Sequence, residues 1–131
     1  AIYHKTLESL MSVSDVLSVC CPASKETINL INKKTISLLP NGAIVTNVAR
    51  GDIVDDDALI EALDSKKVSA VGLDVYKNEP KLNPGYLKHS RAFVLPHLGS
   101  ATFETRTAMA NLAIDNISEF FQTGSCKNKV N

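Results

Sequence analysis

An α/β fold built on a parallel sheet is predicted by three features of this 131-residue chain. Four short Val/Ile/Leu-rich runs recur without polar alternation, the habit of strands covered on both faces. Segments with helical spacing separate them and supply the crossovers that parallel strands require. Each run is followed by Pro, Gly or a charged residue, which stops it before it is long enough to be a helix.

The runs are Asp15–Cys20 (DVLSVC), Ala43–Val48 (AIVTNV), Val68–Val75 (VSAVGLDV) and Ala92–Leu95 (AFVL). After the first, a helix is expected to open near Ser24 as N-cap, to carry Ile28, Ile31, Ile36, Leu38 and Leu39, and to stop at Pro40 and Gly42. After the second, Asp55, Asp56 and Asp57 open a helix that presents Leu59, Ile60 and Leu63 and ends among Ser65, Lys66 and Lys67. Acids first and lysines last match the helix dipole, which accounts for the aspartates better than a metal site does. After the third, residues 77–90 are rich in Asn, Pro and Lys and read as a surface loop with one helical turn at Tyr86–Lys88. A last helix runs from about Ser100 to Gln122, with Met109, Leu112, Ala113, Ile117 and Phe120 on one face and Gly124 as its stop.

Composition removes several function classes. Fourteen Lys and Arg balance 14 Asp and Glu, and 44% of residues are hydrophobic, the make-up of one folded domain at most rather than a disordered segment. Without a basic excess there is no electrostatic reason to expect nucleic acid. No apolar run approaches the roughly 20 residues of a membrane span, and the N-terminus lacks the pattern of a secretory signal. Three cysteines, two of them the adjacent Cys20 and Cys21, make neither a disulfide framework nor a spaced metal site, and a reducing, cytoplasmic setting is expected. Cys21, before Pro22, is expected to be a buried, unreactive thiol.

In an open parallel sheet ligands bind outside the carboxyl ends of the strands, which share one edge. The four runs end in Cys20-Cys21-Pro22, in Ala49-Arg50-Gly51, in Asp74 followed by Glu79, and in Pro96-His97-Leu98-Gly99-Ser100. Taken singly, Arg50 reads as a surface charge beside a turn, Asp74 as a turn cap, Glu79 as a loop carboxylate and His97 as a structural hydrogen-bonding group. Their joint delivery to one edge favours a site. A planar guanidinium suits anchoring of an α-keto or α-hydroxy acid. Imidazole at His97 is a candidate general acid toward a developing alkoxide, and the Glu79 carboxylate would orient it and favour its protonated form. These groups polarise and protonate a carbonyl but supply no hydride, which needs a cofactor. A G-x-S-x-G elbow, a His/Cys zinc cluster and a phosphate-binding G-x-x-x-x-G-K-[ST] loop are all missing.

Four blocks, SDVLSVCCPASKETINLIN, GAIVTNVARGDIVDDDALIEAL, VGLDVYKNEP and LPHLGSATFETRTAMA, resemble in order and spacing the D-isomer-specific 2-hydroxyacid dehydrogenases. The stretch NPGYLKHSRAFVLPHLGSAT is most similar to the glyoxylate/hydroxypyruvate reductase branch. The resemblance covers nearly the whole chain. It implies NAD or NADP as cofactor, a small 2-keto or 2-hydroxy acid as substrate and a homodimer as the full-length protein. It further implies that Arg50 binds the substrate carboxylate and polarises the carbonyl, and that His97 donates the proton with Glu79 paired to it. The Cys21-Pro22 turn would face the adenosine side. Val48, Ala49, Arg50, Asp74, His97, Gly99 and Ser100 would meet the nicotinamide end.

The family's G-x-G-x-x-G phosphate loop and its substrate lobe are not in these residues, so the fold expected is a partial Rossmann-like doubly wound sheet. Residues 1–131 are then the C-terminal portion of a dinucleotide-binding domain, with helix 100–122 packing toward the substrate lobe. A non-catalytic module of the corepressor kind and an inactive remnant of the same fold are the alternatives.

Overall fold

The computed structural model describes residues 1–130, which divide into two compact units, Ala1–Pro96 and His97 onward. The first unit holds a four-stranded parallel sheet of β1 (Val16–Val19), β2 (Ala43–Asn47), β3 (Val68–Leu73) and β4 (Ala92–Val94) in the order β1-β2-β3-β4. All four expected strands are present, trimmed by a residue or two at the ends. Register places Val16 beside Ile44, Ile44 beside Ala70, and Gly72 beside Phe93.

One face of the sheet makes the core. Leu17, Val19, Val45, Val71 and Leu73 pack there with Met11, Ile36, Leu59 and Leu63 from the helices α1 (Leu7–Met11), α2 (Lys33–Leu38) and α3 (Asp56–Asp64). Helix α3 matches its expectation closely: the Asp55 side chain accepts from the N–H of Ala58, and Ala58, Leu59, Ala62 and Leu63 are buried. Helix α1 was not expected; Thr6 caps it by accepting from Ser9 N–H, and the Leu7, Leu10, Met11 spacing carries its signal.

Helix α2 is shorter than the sequence predicts, and Ser24 is not its cap. Ser24 N–H donates to Thr27 Oγ1 at 2.7 Å, closing a local turn, the competition that serine and threonine offer to a helix. Asn29 then sits at φ 49°, and Asn29 and Ile31 pair with the backbone of Asp52–Asp55, with Ile31 N–H bonded to Ile53 O at 3.0 Å. Asn32 caps the helix in a reciprocal capping box with Thr35.

The loop after β3 crosses back over α3. Tyr86 is 1% exposed within the short turn Tyr86–Lys88, and its hydroxyl donates to Asp56 Oδ1 at 2.9 Å. Burial pushes the Asp56 carboxyl above its ordinary 3.8 in spite of that bond; burial and the Asp56 charge push the tyrosine well above its ordinary 10. The folded protein therefore holds the Asp56 proton more tightly than the unfolded chain does. Stability from this group is complete below pH 3.8 and declines as pH rises through the folded value. Asp56→Asn keeps an acceptor for Tyr86 without the charge, so its stability relative to wild type is expected to improve from pH 4 to pH 7. Urea melts at several pH values check this.

The opposite face of the sheet is bare within this unit: Val16, Ile44, Val48 and Phe93 are 61%, 38%, 56% and 67% exposed. Parallel sheets are ordinarily covered on both sides, and an apolar face of this kind is an association surface. The 131-residue polypeptide alone is expected to sediment as oligomers at micromolar concentration. Val16→Ser together with Phe93→Ser should shift it toward monomer.

The second unit is a single long helix, α4 (Phe103–Thr123), capped by Thr102, whose side chain accepts from Thr105 N–H. Gly124 ends it at φ 76°, its N–H bonded to Phe120 O. Met109, Leu112, Ile117 and Phe120 are each more than half exposed. No helix among the described residues is long and apolar enough to cross a membrane.

Candidate functional site

Ladder bonds continue past each strand and bring the carboxyl ends to one edge. Val48 N–H reaches Val19 O, Asp74 N–H reaches Asn47 O, and Leu95 N–H reaches Leu73 O, at 2.8–3.2 Å. Cys20, Cys21, Pro22 and Ala23 thereby stand beside Val48, Ala49 and Arg50, and the seven residues line one cleft of about 510 Å³.

Asn47, last residue of β2 and 1% exposed, makes the Arg50 turn. Its Nδ2 donates to Arg50 O at 2.9 Å, and its Oδ1 accepts from Ala49 N–H at 3.0 Å. In the sequence Asn47 reads as part of the apolar run AIVTNV. The available signal was a lone amide at the carboxyl end of a buried strand, where it needs a partner. The Arg50 side chain is exposed, and Nη1 donates to Ala49 O at 2.6 Å, one donor of the five a guanidinium carries.

Asp74 lies just past β3, half-buried. Glu79 lies further along the same loop, and its Oε1 accepts from Tyr76 N–H at 3.1 Å. That loop touches the Arg50 turn directly, since a Cβ on Gly51 would overlap backbone atoms of Tyr76 and Lys77. Arg50, Asp74, Glu79, Cys21, Pro22, Val48 and Ala49 thus belong to one edge of the first unit.

His97 opens the second unit, three residues after Val94 in the chain and exposed, with Gly99 and Ser100 following. Its φ is 57°, the left-handed region that costs a non-glycine residue energy and that concentrates at functional sites.

The Cys21 thiol is less buried than expected. Cys20 is exposed and Cys21 only half-buried, because Cys20 continues the bare-face alternation of Val16 and Ser18 into the cleft, its Sγ 3.4 Å from Ser18 Oγ. The aspartates at α3 are all engaged: Asp55 caps the helix, Asp56 holds Tyr86, and Asp57 Oδ1 accepts from Asn83 Nδ2 at 3.1 Å. No cluster of potential metal ligands occurs among the described residues.

The cleft suits the ring-and-sugar part of a dinucleotide in size, pockets for such ligands running to about 300–1,000 Å³. It also offers what that part needs, apolar walls of Pro22, Ala23 and Val48 with peptide groups and one guanidinium.

Residues 1–99 match the family model described as D-isomer specific 2-hydroxyacid dehydrogenase, NAD binding domain. The chain is 43% identical to glycerate dehydrogenase of Hyphomicrobium methylovorum, over 92% of this chain and 38% of that protein. It is 38% identical to glyoxylate reductase 1 of Saccharomyces cerevisiae, over 89% of this chain and 33% of that protein. The NADPH-dependent glyoxylate/hydroxypyruvate reductase of Sinorhizobium meliloti, solved with NADP and malonate, superposes with a TM-score of 0.91 at 36% identity, over 95% of this chain and 39% of that one. The chain therefore spans well under half the length of the relatives it matches.

Proposed function

We propose, because the chain belongs to the D-isomer specific 2-hydroxyacid dehydrogenase family, that the full-length protein reduces a small 2-keto acid to the 2-hydroxy acid at the expense of NADH or NADPH. Glyoxylate and hydroxypyruvate are the substrates we favour. The observation that carries this reading is the meeting of the Arg50 turn, Asp74 and the Glu79 loop at the carboxyl edge of a parallel sheet, beside a cleft of cofactor size.

In this reading the Arg50 fork takes the substrate carboxylate and draws electron density from the adjacent carbonyl. A reduced nicotinamide held beside Val48, Ala49 and Asp74 would supply the hydride that the side chains cannot. The proton for the resulting alkoxide comes from His97, and Glu79 keeps that imidazole oriented. Cys21 and Pro22 border the adenosine side; Val48, Ala49, Arg50, Asp74, His97, Gly99 and Ser100 border the nicotinamide. The exposed apolar face of α4 supports its packing toward a substrate lobe. Two further proposals are a homodimeric full-length protein and a cytoplasmic location.

The test is turnover by the full-length protein with NADH and with NADPH against glyoxylate, hydroxypyruvate and pyruvate. Oxidation of either cofactor that depends on the keto acid supports the reading. No turnover of any keto acid, together with stable capture of protein partners, would favour a non-catalytic module instead.

A further inference from the structure

The Arg50 turn and the Glu79 loop leave different strands, β2 and β3, and their main chains meet at Gly51. Gly51 is buried, and a Cβ there would overlap the carbonyl carbon and oxygen of Tyr76 and the nitrogen of Lys77. Only glycine lets two backbones pack so closely. Arg50 precedes Gly51, while Tyr76 N–H donates to Glu79 Oε1 at 3.1 Å. One backbone contact and one hydrogen bond therefore join the guanidinium-bearing residue to the carboxylate.

Both sides of the contact are anchored. On the turn side, Asn47 holds the peptide groups of Ala49 and Arg50, and Val54 N–H bonds to Gly51 O at 3.0 Å. On the loop side, Tyr86 is tied to Asp56 and Asn83 to Asp57, so the far end of the loop is fixed to α3. Bulk added at position 51 has one place to go, the Tyr76–Glu79 segment between those anchors.

We infer that Gly51 is a positioning residue: its close approach to Tyr76 sets where the Glu79 carboxylate stands relative to Arg50. The inference rests on the reading of Arg50 and Glu79 as site residues given above. It makes the glycine after Arg50 part of the machinery without any contact to substrate.

The test is a double-variant cycle in the full-length protein, with Gly51→Ala, Glu79→Ala and the pair, read by kcat/KM for the keto acid and by hydrogen exchange at the Tyr76 amide. Gly51→Ala is expected to lower kcat/KM by about 10- to 100-fold, mostly in kcat, the scale of an ångström-sized misplacement. In the Glu79→Ala background it should cost nothing further, because residues acting as a unit are non-additive. Multiplying effects would overturn the inference. Exchange at Tyr76 should rise at least tenfold in both single variants; unchanged exchange in Gly51→Ala overturns the link whatever the turnover. If exchange rises while Glu79→Ala leaves kcat/KM intact, the link stands and the role assigned to Glu79 falls. Should Gly51→Ala not fold, Tyr76→Pro removes the N–H that Glu79 accepts while position 51 stays glycine. It is expected to lower kcat/KM similarly and not at all beyond Glu79→Ala; full activity of Tyr76→Pro overturns the inference.

Discussion

Replacing Arg50 with alanine in the full-length protein is expected to lower kcat/KM for a 2-keto acid by roughly a hundred- to several-thousand-fold. A carboxylate held by two guanidinium N–H groups makes two charge-assisted hydrogen bonds at about 1.5–3 kcal/mol each. Losing both costs up to about 6 kcal/mol, reduced to about 3–5 kcal/mol because water replaces part of the lost contact, at 1.4 kcal/mol per factor of ten. The loss should divide: the carboxylate contact is equally strong in ground and transition states and shows in KM, whereas polarisation of the carbonyl grows toward the transition state and shows in kcat. Arg50→Lys keeps the charge but not the fork, and should recover part of KM with little of kcat. Cofactor affinity measured by titration is expected to change far less than kcat/KM. Parallel loss of both would instead mean that the turn itself had collapsed.

Asn47→Leu is expected to destabilise the first unit by about 2–3 kcal/mol. The side chain is fully buried and its amide is used at both ends, once as donor to Arg50 O and once as acceptor from Ala49 N–H. Removing it leaves peptide groups without partners at about 1–3 kcal/mol each, moderated because the turn beyond them reaches solvent. The midpoint of urea unfolding, at unchanged slope, reads the effect. Asn47→Asp gives a sharper version. Protonated, its carboxyl still donates to Arg50 O and accepts from Ala49 N–H; ionised, it is a buried charge facing a carbonyl. The folded state therefore favours its protonated form, and the deficit against wild type should be small below the ordinary carboxylate range and grow as pH rises.

Which parts of this were readable in the residues follows from what each depends on. Strands show in sequence because a parallel sheet demands unbroken apolar runs, and DVLSVC, AIVTNV, VSAVGLDV and AFVL have no competing explanation. Helix α3 shows because its cap, its acids and its apolar stripe agree. Helix α2 does not, since whether Ile28 and Ile31 continue a helix is decided by the pairing of Ile31 with Ile53, a contact between distant residues. Arg50, Asp74 and Glu79 were visible as charges after strands. Asn47 was not, because its importance lies in what its side chain holds; the glycine beside Arg50 is legible as a place of close backbone approach, but that the approaching segment is Tyr76–Lys77 requires the fold. The thiol at Cys21, expected to be buried, is half-buried through the same dependence: burial past the end of a strand follows from what packs against it there.

The strictly sequential strand order has a consequence for how the chain acquires its structure. Each strand pairs with the one before it, so no strand waits for a distant later segment, and loop-closure costs stay at the length of one crossover. A chain emerging N-terminus first can therefore add strands in the order of synthesis. The Arg50 turn is complete as soon as β3 docks, since Asp74 N–H is bonded to Asn47 O. Stalling translation once residue 76 has cleared the ribosome should then already protect the amides of β2 from exchange.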